Sequence, residues 1–269
     1  MAEPGAGARE GYTMGYDEAA MTWLQSRSVQ SHAQFFLPYL EPGMTLLDCG
    51  CGPGAITLGL AEKLAPGEVI GVDIEPSQID LASRMAQEKK IANVRFETAS
   101  VYDLPYEDNS FDGVFASAIL GNLDAPQQAV VEMYRVLKPG GVAGFHEFDH
   151  DGDLFYPLNP TLTKSVKLYE RLRQHIGHDP AGGRRLKEWL SRAAFDLLDL
   201  GATFEMFELA DFAKGSIALF QGEMGNQMKA LGWIDEEGIA EIPRMWADMV
   251  NNPDAFIATA WVHAVGRKG

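Results

Sequence analysis

The chain has only two cysteines in 269 residues, Cys49 and Cys51, two positions apart. They cannot build a disulfide framework, and no second pair stands by to complete a zinc site. No apolar run approaches the ~20 residues needed to span a bilayer. Met1 to Gly11 has neither a basic flank nor an apolar stretch, so no secretory leader is expected and the expected location is cytoplasmic. Basic residues are also scarce: 22 Lys and Arg face 38 Asp and Glu, a formal charge of −16. Without a dense basic run to meet phosphates, a nucleic-acid partner is not expected. Repeats and low-complexity segments are absent. What remains, 46% hydrophobic and 22% charged, is ordinary for a globular protein with one large core or one core and a modest insertion.

Against that background one stretch stands out, Leu46-Leu47-Asp48-Cys49-Gly50-Cys51-Gly52-Pro53-Gly54, followed twenty residues later by Val69-Ile70-Gly71-Val72-Asp73. An apolar run ends on a carboxylate, three alternating glycines open a helix, and a second apolar run ends on a second carboxylate. Doubly wound α/β domains present a nucleoside-bearing cofactor in this way at the ends of their first two strands. Glycines let the backbone pass close to the ligand, and Asp73 is placed to accept from the hydroxyls of a ribose. Gly50, Gly52 and Ala55 pass a loose dinucleotide fingerprint. Asp48, however, would repel a pyrophosphate and welcome the sulfonium and ammonium of S-adenosylmethionine. On these residues the chain resembles the class I S-adenosylmethionine-dependent methyltransferases.

Three more clusters strengthen the resemblance: Ala99 to Tyr106, Asp108 to Ala116, and Glu132 to Gly141, with "DLPY.DNSFD" followed by "RVLKPGG". Their order is similar to the ubiquinone/menaquinone-methyltransferase-like branch of small-molecule enzymes. The resemblance implies that Gly50, Cys51, Gly52 and Gly54 pass under the methionine portion and that Asp48 faces its ammonium or a nearby water. It implies that Ile74 lies against the adenine, and that Ser100, standing where relatives often carry an acid, leaves more of the adenine contact to the Val101 backbone. Ala116 and Ser117 would flank the methionine portion, and Arg27 would reach the cofactor carboxylate. It also implies a small-molecule acceptor, neutral or cationic and aromatic or terpenoid, as in secondary metabolism.

The pattern as a whole predicts an α/β fold. It is a doubly wound Rossmann-like sheet of seven mainly parallel strands with an antiparallel last strand, plus N-terminal helices and a helical insertion. Strands are expected at about 45–50, 67–73, 93–98, 112–117 and 140–148, with helices at about 54–65, 76–90 and 126–138 between them. Further along, helices are expected at about 160–176 and 183–196, a strand over Phe204 to Leu209, two helices within 213–250, and an edge strand over Phe256 to Val265. The expected division is 1–40 as an N-terminal helical lid, 41–150 as the S-adenosylmethionine-binding core, and 151–269 as the rest of the sheet with helical substrate-covering segments.

Two segments bear on the acceptor. Gly144-Phe145-His146-Glu147-Phe148-Asp149-His150 ends the fifth strand at the expected mouth of the site. His146 and His150 are candidate bases for an O or N nucleophile, and Phe148 is a candidate wall. Their spacing falls on a strand-to-loop junction and not on a helix face, so no metal is expected. Tyr12 and Tyr16 flank a glycine ahead of the first helices, as in lid segments that fold over cofactor and substrate. Phe212 to Met228 reads equally as a substrate lid or as the face of a homo-oligomer. Two other functions stay open at this point: a nicotinamide-dependent oxidoreductase, and a catalytically silent S-adenosylmethionine-binding regulatory protein.

Overall fold

The computed structural model describes Met21 and residues 24–269. The expected parallel alternation is present. β1 (Leu46–Cys49), α2 (Ala55–Leu64), β2 (Val69–Asp73), α3 (Pro76–Lys89), β3 (Val94–Thr98), β4 (Phe111–Ser117), α4 (Pro126–Val136) and β5 (Leu137–Phe148) follow a short α1 (Val29–His32). The remainder comprises β6 (Leu154–Tyr156), α5 (Pro160–His175), α6 (Leu186–Arg192), β7 (Phe195–Met206), α7 (Leu209–Gln221), α8 (Glu223–Ala230), α9 (Glu236–Val250) and β8 (Phe256–Lys268).

The sheet runs β3-β2-β1-β4-β5-β8, with β7 on the far side of β8. β8 is antiparallel to both neighbours, and the three-residue β6 pairs with its start, beyond the end of β5. The last strand is therefore the antiparallel one, as expected, but it is not the edge: β7 is. Strands β1, β2 and most of β4 are buried on both faces, which is why they read as unbroken apolar runs. One core fills the side of α4 and α6, around Met133, Val136, Phe145 and Trp189. A second fills the side of α1 and α2, around Phe36, Leu60 and Phe115. A third lies within the helical cap of α5, α7, α8 and α9, around Leu172, Met228 and Trp246.

The later elements differ from the expected ones where punctuation is unusual. The helix expected to reach 196 stops at Arg192 because Ala194 turns with φ of 64°, a role that normally goes to a glycine. The edge strand therefore begins nine residues before the expected one. The 209–250 region holds three helices, broken near Gly222 and Gly232, instead of two.

The quoted motifs serve the fold as much as the site. Arg135, in the "RVLKPGG" run, donates to Glu132, to Asp108 and to the carbonyls of Leu104 and Tyr106, while a Glu132 oxygen accepts from Leu104 N. This staples the loop after β3 onto α4 and fixes the chain that carries Ser100 and Val101.

Gly54 shows what the glycine loop demands. Its φ is +79°, and a Cβ there would sit 2.8 Å from the Phe96 ring and 2.9 Å from Ala82. Gly54→Ala combines left-handed strain with overpacking, so we expect it to lower unfolding stability by about 2 kcal/mol in urea titrations. A midpoint equal to the parent's would refute this.

Candidate functional site

The ends of β1, β2 and β4 frame a cavity of about 120 Å³. Of the residues expected at the cofactor, Gly50, Gly52, Asp73, Ile74, Ser100, Val101, Ser117 and Arg27 line it. Asp48 and Cys51 line a smaller adjoining space of about 40 Å³, together with Gly50, Gly52, Ser117 and Arg27. Gly54 and Ala116 line neither: Gly54 packs on Phe96 and Ala82, and Ala116 is buried in the core one residue before Ser117.

Asp73 ends β2 with Oδ2 accepting from Gly52 N at 2.8 Å and Oδ1 accepting from Glu75 N at 3.0 Å. Its own strand thus ties the carboxylate to the glycine loop. Burial raises its pKa despite these two donors. Asp48 is fully buried. Its Oδ2 accepts from the Thr57 hydroxyl at 2.6 Å, and burial, reinforced by the Asp73 charge, lifts its pKa to about 7. A cation beside it would restore the ionised form.

The cavity also holds unmet polar capacity. The Ser117 hydroxyl and the Gln78 carbonyl oxygen are buried with no hydrogen-bond partner among the described residues. Ile74 is 57% exposed, a large apolar side chain left uncovered beside a ribose-type carboxylate. A nucleoside with a charged amino-acid tail fits this set, since it offers a flat face to Ile74, hydroxyls to Asp73 and polar atoms to the orphaned groups.

A second cavity of about 130 Å³ lies under the helical cap and shares Arg27, Ala118 and Asn122 with the first. Its walls are mostly apolar and rich in aromatic rings, including Phe148, Phe155, Phe212, Trp246 and Trp261. Ala118 sits at the junction with φ of 55°, and its carbonyl accepts from Asn122 Nδ2 at 2.8 Å. Such backbone strain on a non-glycine residue is sustained only where surrounding contacts hold it.

The two candidate histidines part company. His150 lines the second cavity. Its ring stacks on Phe148 at 4.8 Å, and its Nδ1 lies 2.8 Å from Asp153 Oδ2. His146 does not stand at the mouth, which corrects that expectation: it lines none of the three cavities described. Its side chain turns into a buried layer, stacked on Trp261 at 4.6 Å and edge-on to His32 at 5.3 Å. Burial, with Arg27 nearby, pushes its pKa down to about 3. Residues on alternate positions of a strand point to opposite faces, but the bend after Phe148 that turns His150 inward is not visible in that spacing. Tyr12 and Tyr16 lie outside the described residues. Among the residues that sequence reasoning missed, Ala118 and Asn122 carry no motif, and Gln78 is hidden in the first turn of α3. Arg173 and Tyr169 are one helical turn apart on α5, where a charge on an otherwise buried face is a usable signal.

Comparison with known proteins agrees with this architecture. A methyltransferase domain family matches residues 40–194, and the chain belongs to that family. It is an S-adenosylmethionine-dependent methyltransferase. Among particular relatives, the demethylmenaquinone methyltransferase of Staphylococcus carnosus is 30% identical over 200 residues, 74% of this chain and 79% of its own. An uncharacterised methyltransferase of Schizosaccharomyces pombe is 33% identical over 190 residues, 68% of each chain. In fold, the chain is similar to the crystal structure of a putative methyltransferase from Bacillus halodurans. The TM-score is 0.61 at 17% identity, with 87% of this chain and 99% of that one covered. The family leaves the oxidoreductase reading without support. Among the described residues, no helix is long and apolar enough to cross a membrane.

Proposed function

We propose that this enzyme methylates a small, largely apolar aromatic or isoprenoid acceptor held in the second cavity, with the cofactor in the first. The observation that carries this reading is the junction: Arg27, Ala118 and Asn122 belong to both cavities, so contents of the two would meet there. In this reading Asp73 takes the ribose hydroxyls, Ile74 and Val101 cover the base, and Asp48, Gly50, Cys51, Gly52, Ser117 and Arg27 surround the amino-acid tail. Residues 41–150 act as the cofactor core and 151–269 close over the acceptor. When bound, S-adenosylmethionine supplies an electrophilic methyl group for in-line displacement. The protein's own task is alignment, exclusion of water and removal of a proton from the nucleophile. The aromatic walls exclude water, and His150, oriented by Asp153, is the proton acceptor.

Calorimetry with S-adenosylmethionine, S-adenosylhomocysteine and NAD tests the first half of this reading. Transfer of a labelled methyl group to a panel of hydroquinones, phenols and indoles tests the second. Micromolar binding of the two sulfur nucleosides and label in an apolar aromatic product are expected. Label only in polar aliphatic amines would refute the acceptor class.

Asp73→Asn keeps the shape and one acceptor oxygen but removes the charge. We expect about tenfold weaker cofactor binding, the size of one charge-assisted hydrogen bond, and a lower thermal stability, because the amide nitrogen faces either the Gly52 or the Glu75 N–H that an Asp73 oxygen accepts from. Unchanged affinity would remove Asp73 from the site.

A further inference from the structure

The acceptor cavity contains a cation that forms no ion pair among the described residues. Arg173 lines it from α5 and is only 2% exposed. Its hydrogen bonds go to neutral oxygens alone: Nη1 donates to Tyr169 Oη at 3.2 Å, and Nη2 to the Gly121 carbonyl at 3.1 Å and Asn122 Oδ1 at 2.8 Å. Its Nε is buried with no partner among the described residues, and its planar head lies 4.3 Å from the centre of the Phe148 ring. Glu147, the buried carboxylate that feels its field, turns its oxygens to the Gly121 and Phe148 N–H groups instead.

A buried guanidinium without a paired anion is costly, and binding sites place such groups where a ligand completes them. The neighbouring geometry points the same way. Because Tyr169 Oη accepts from Arg173, its own proton is left for another oxygen. The Tyr169 ring meets His150 edge-on at 5.4 Å on the same wall.

Resting on the assignment of this cavity to the acceptor, we propose that the acceptor bears an anionic oxygen. It is a carboxylate, or a phenol or enol whose proton passes to His150 Nε2, on an apolar body, and Arg173 and the Tyr169 hydroxyl hold the anionic oxygen beside His150. This replaces the neutral or cationic acceptor that the family resemblance implies.

Calorimetry with two probes of one shape, naphthoate and its neutral amide naphthamide, tests the proposal on the parent protein loaded with S-adenosylhomocysteine. Naphthoate is expected to bind about tenfold more tightly. Arg173→Met should abolish that preference while retaining naphthamide binding, Tyr169→Phe should reduce it, and Lys164→Met, which removes an exposed cation on α5, should leave it. Equal affinities in the parent would overturn the proposal while leaving an aromatic acceptor site standing. A preference that survives in folded Arg173→Met would also overturn it. Should Arg173→Met not fold, a preference unchanged in Tyr169→Phe has the same meaning. If neither probe binds, the assignment of the cavity to an aromatic acceptor fails as well.

Discussion

His150→Ala is expected to lower turnover about 100-fold, within the usual range for loss of a positioned base, while cofactor affinity stays at the parent value. The expectation rests on how the imidazole is held. Asp153 is fixed first: its Oδ1 accepts from Ala260 N on β8 at 2.7 Å, and its Oδ2 faces His150 Nδ1. A carboxylate only accepts, so Nδ1 carries the proton and Nε2 is the nitrogen left to take one from a substrate. Phe148 behind the ring and Tyr169 at its edge restrict the remaining rotation. Asp153→Asn should give a smaller loss, because an amide can hold the ring while favouring the wrong tautomer. Steady-state kinetics on an accepted hydroquinone or phenol, beside calorimetry with S-adenosylmethionine, separates the two effects. A turnover within threefold of the parent's would show that the proton leaves by another route, and parallel loss of cofactor binding would indicate structural damage.

Much of this site is written locally in the sequence. Asp48, the glycines and Asp73 occupy the ends of two buried strands, so an apolar run followed by a turn places them without tertiary information. The Glu132–Arg135 staple explains why the "DLPY" and "RVLKPGG" runs travel together: each supplies partners for the other across the loop after β3. The acceptor half was less legible for a physical reason. Its cavity is assembled from β5, β6, β8 and the helices of the cap, elements spread over more than a hundred residues, and no single segment carries its pattern. His146 and His150 look equivalent in the chain. Only the pairing of β5 with β8, which sets His146 opposite His263 and Phe148 opposite Trp261, buries one of them and leaves the other beside the cavity. Arg173 was passed over because an arginine on a helix is ordinarily solvated. Its burial follows from the docking of α5 against the turn at Gly121, where a Cβ would meet the Asp179 carbonyl and Phe148 at 2.8 Å.

The buried imidazole layer has the opposite character to a catalytic site, and it makes a large prediction about pH. His32 on α1 and His146 on β5 meet edge to face, with Trp261 stacked on His146 and Phe35 close by. Burial and the Arg27 charge hold His32 down to about 2 and His146 down to about 3, against an ordinary value of 6.5. Between these values and 6.5 the unfolded chain binds protons that the folded chain does not, so each imidazole removes stability as pH falls below 6.5. The loss is about 1.4 kcal/mol per pH unit. Asp48 and Glu147 act the other way: burial raises each to about 7, so they remain protonated in the folded state and favour it as pH falls toward 4. The parent profile from pH 6.5 to 4.5 should therefore be shallow, the balance of two opposed slopes. His146→Phe exposes one of them. The Phe ring preserves the stack on Trp261 and leaves no proton to bind, and His146 Nδ1 has no partner to lose among the described residues. The stability difference, variant minus parent, is expected to rise by about 2.3 kcal/mol between pH 6.5 and 4.5, measured by urea unfolding at each pH. A difference that stays constant over that range would show that His146 is protonated in the folded protein, and with it that the layer joining α1 to the sheet is open to water.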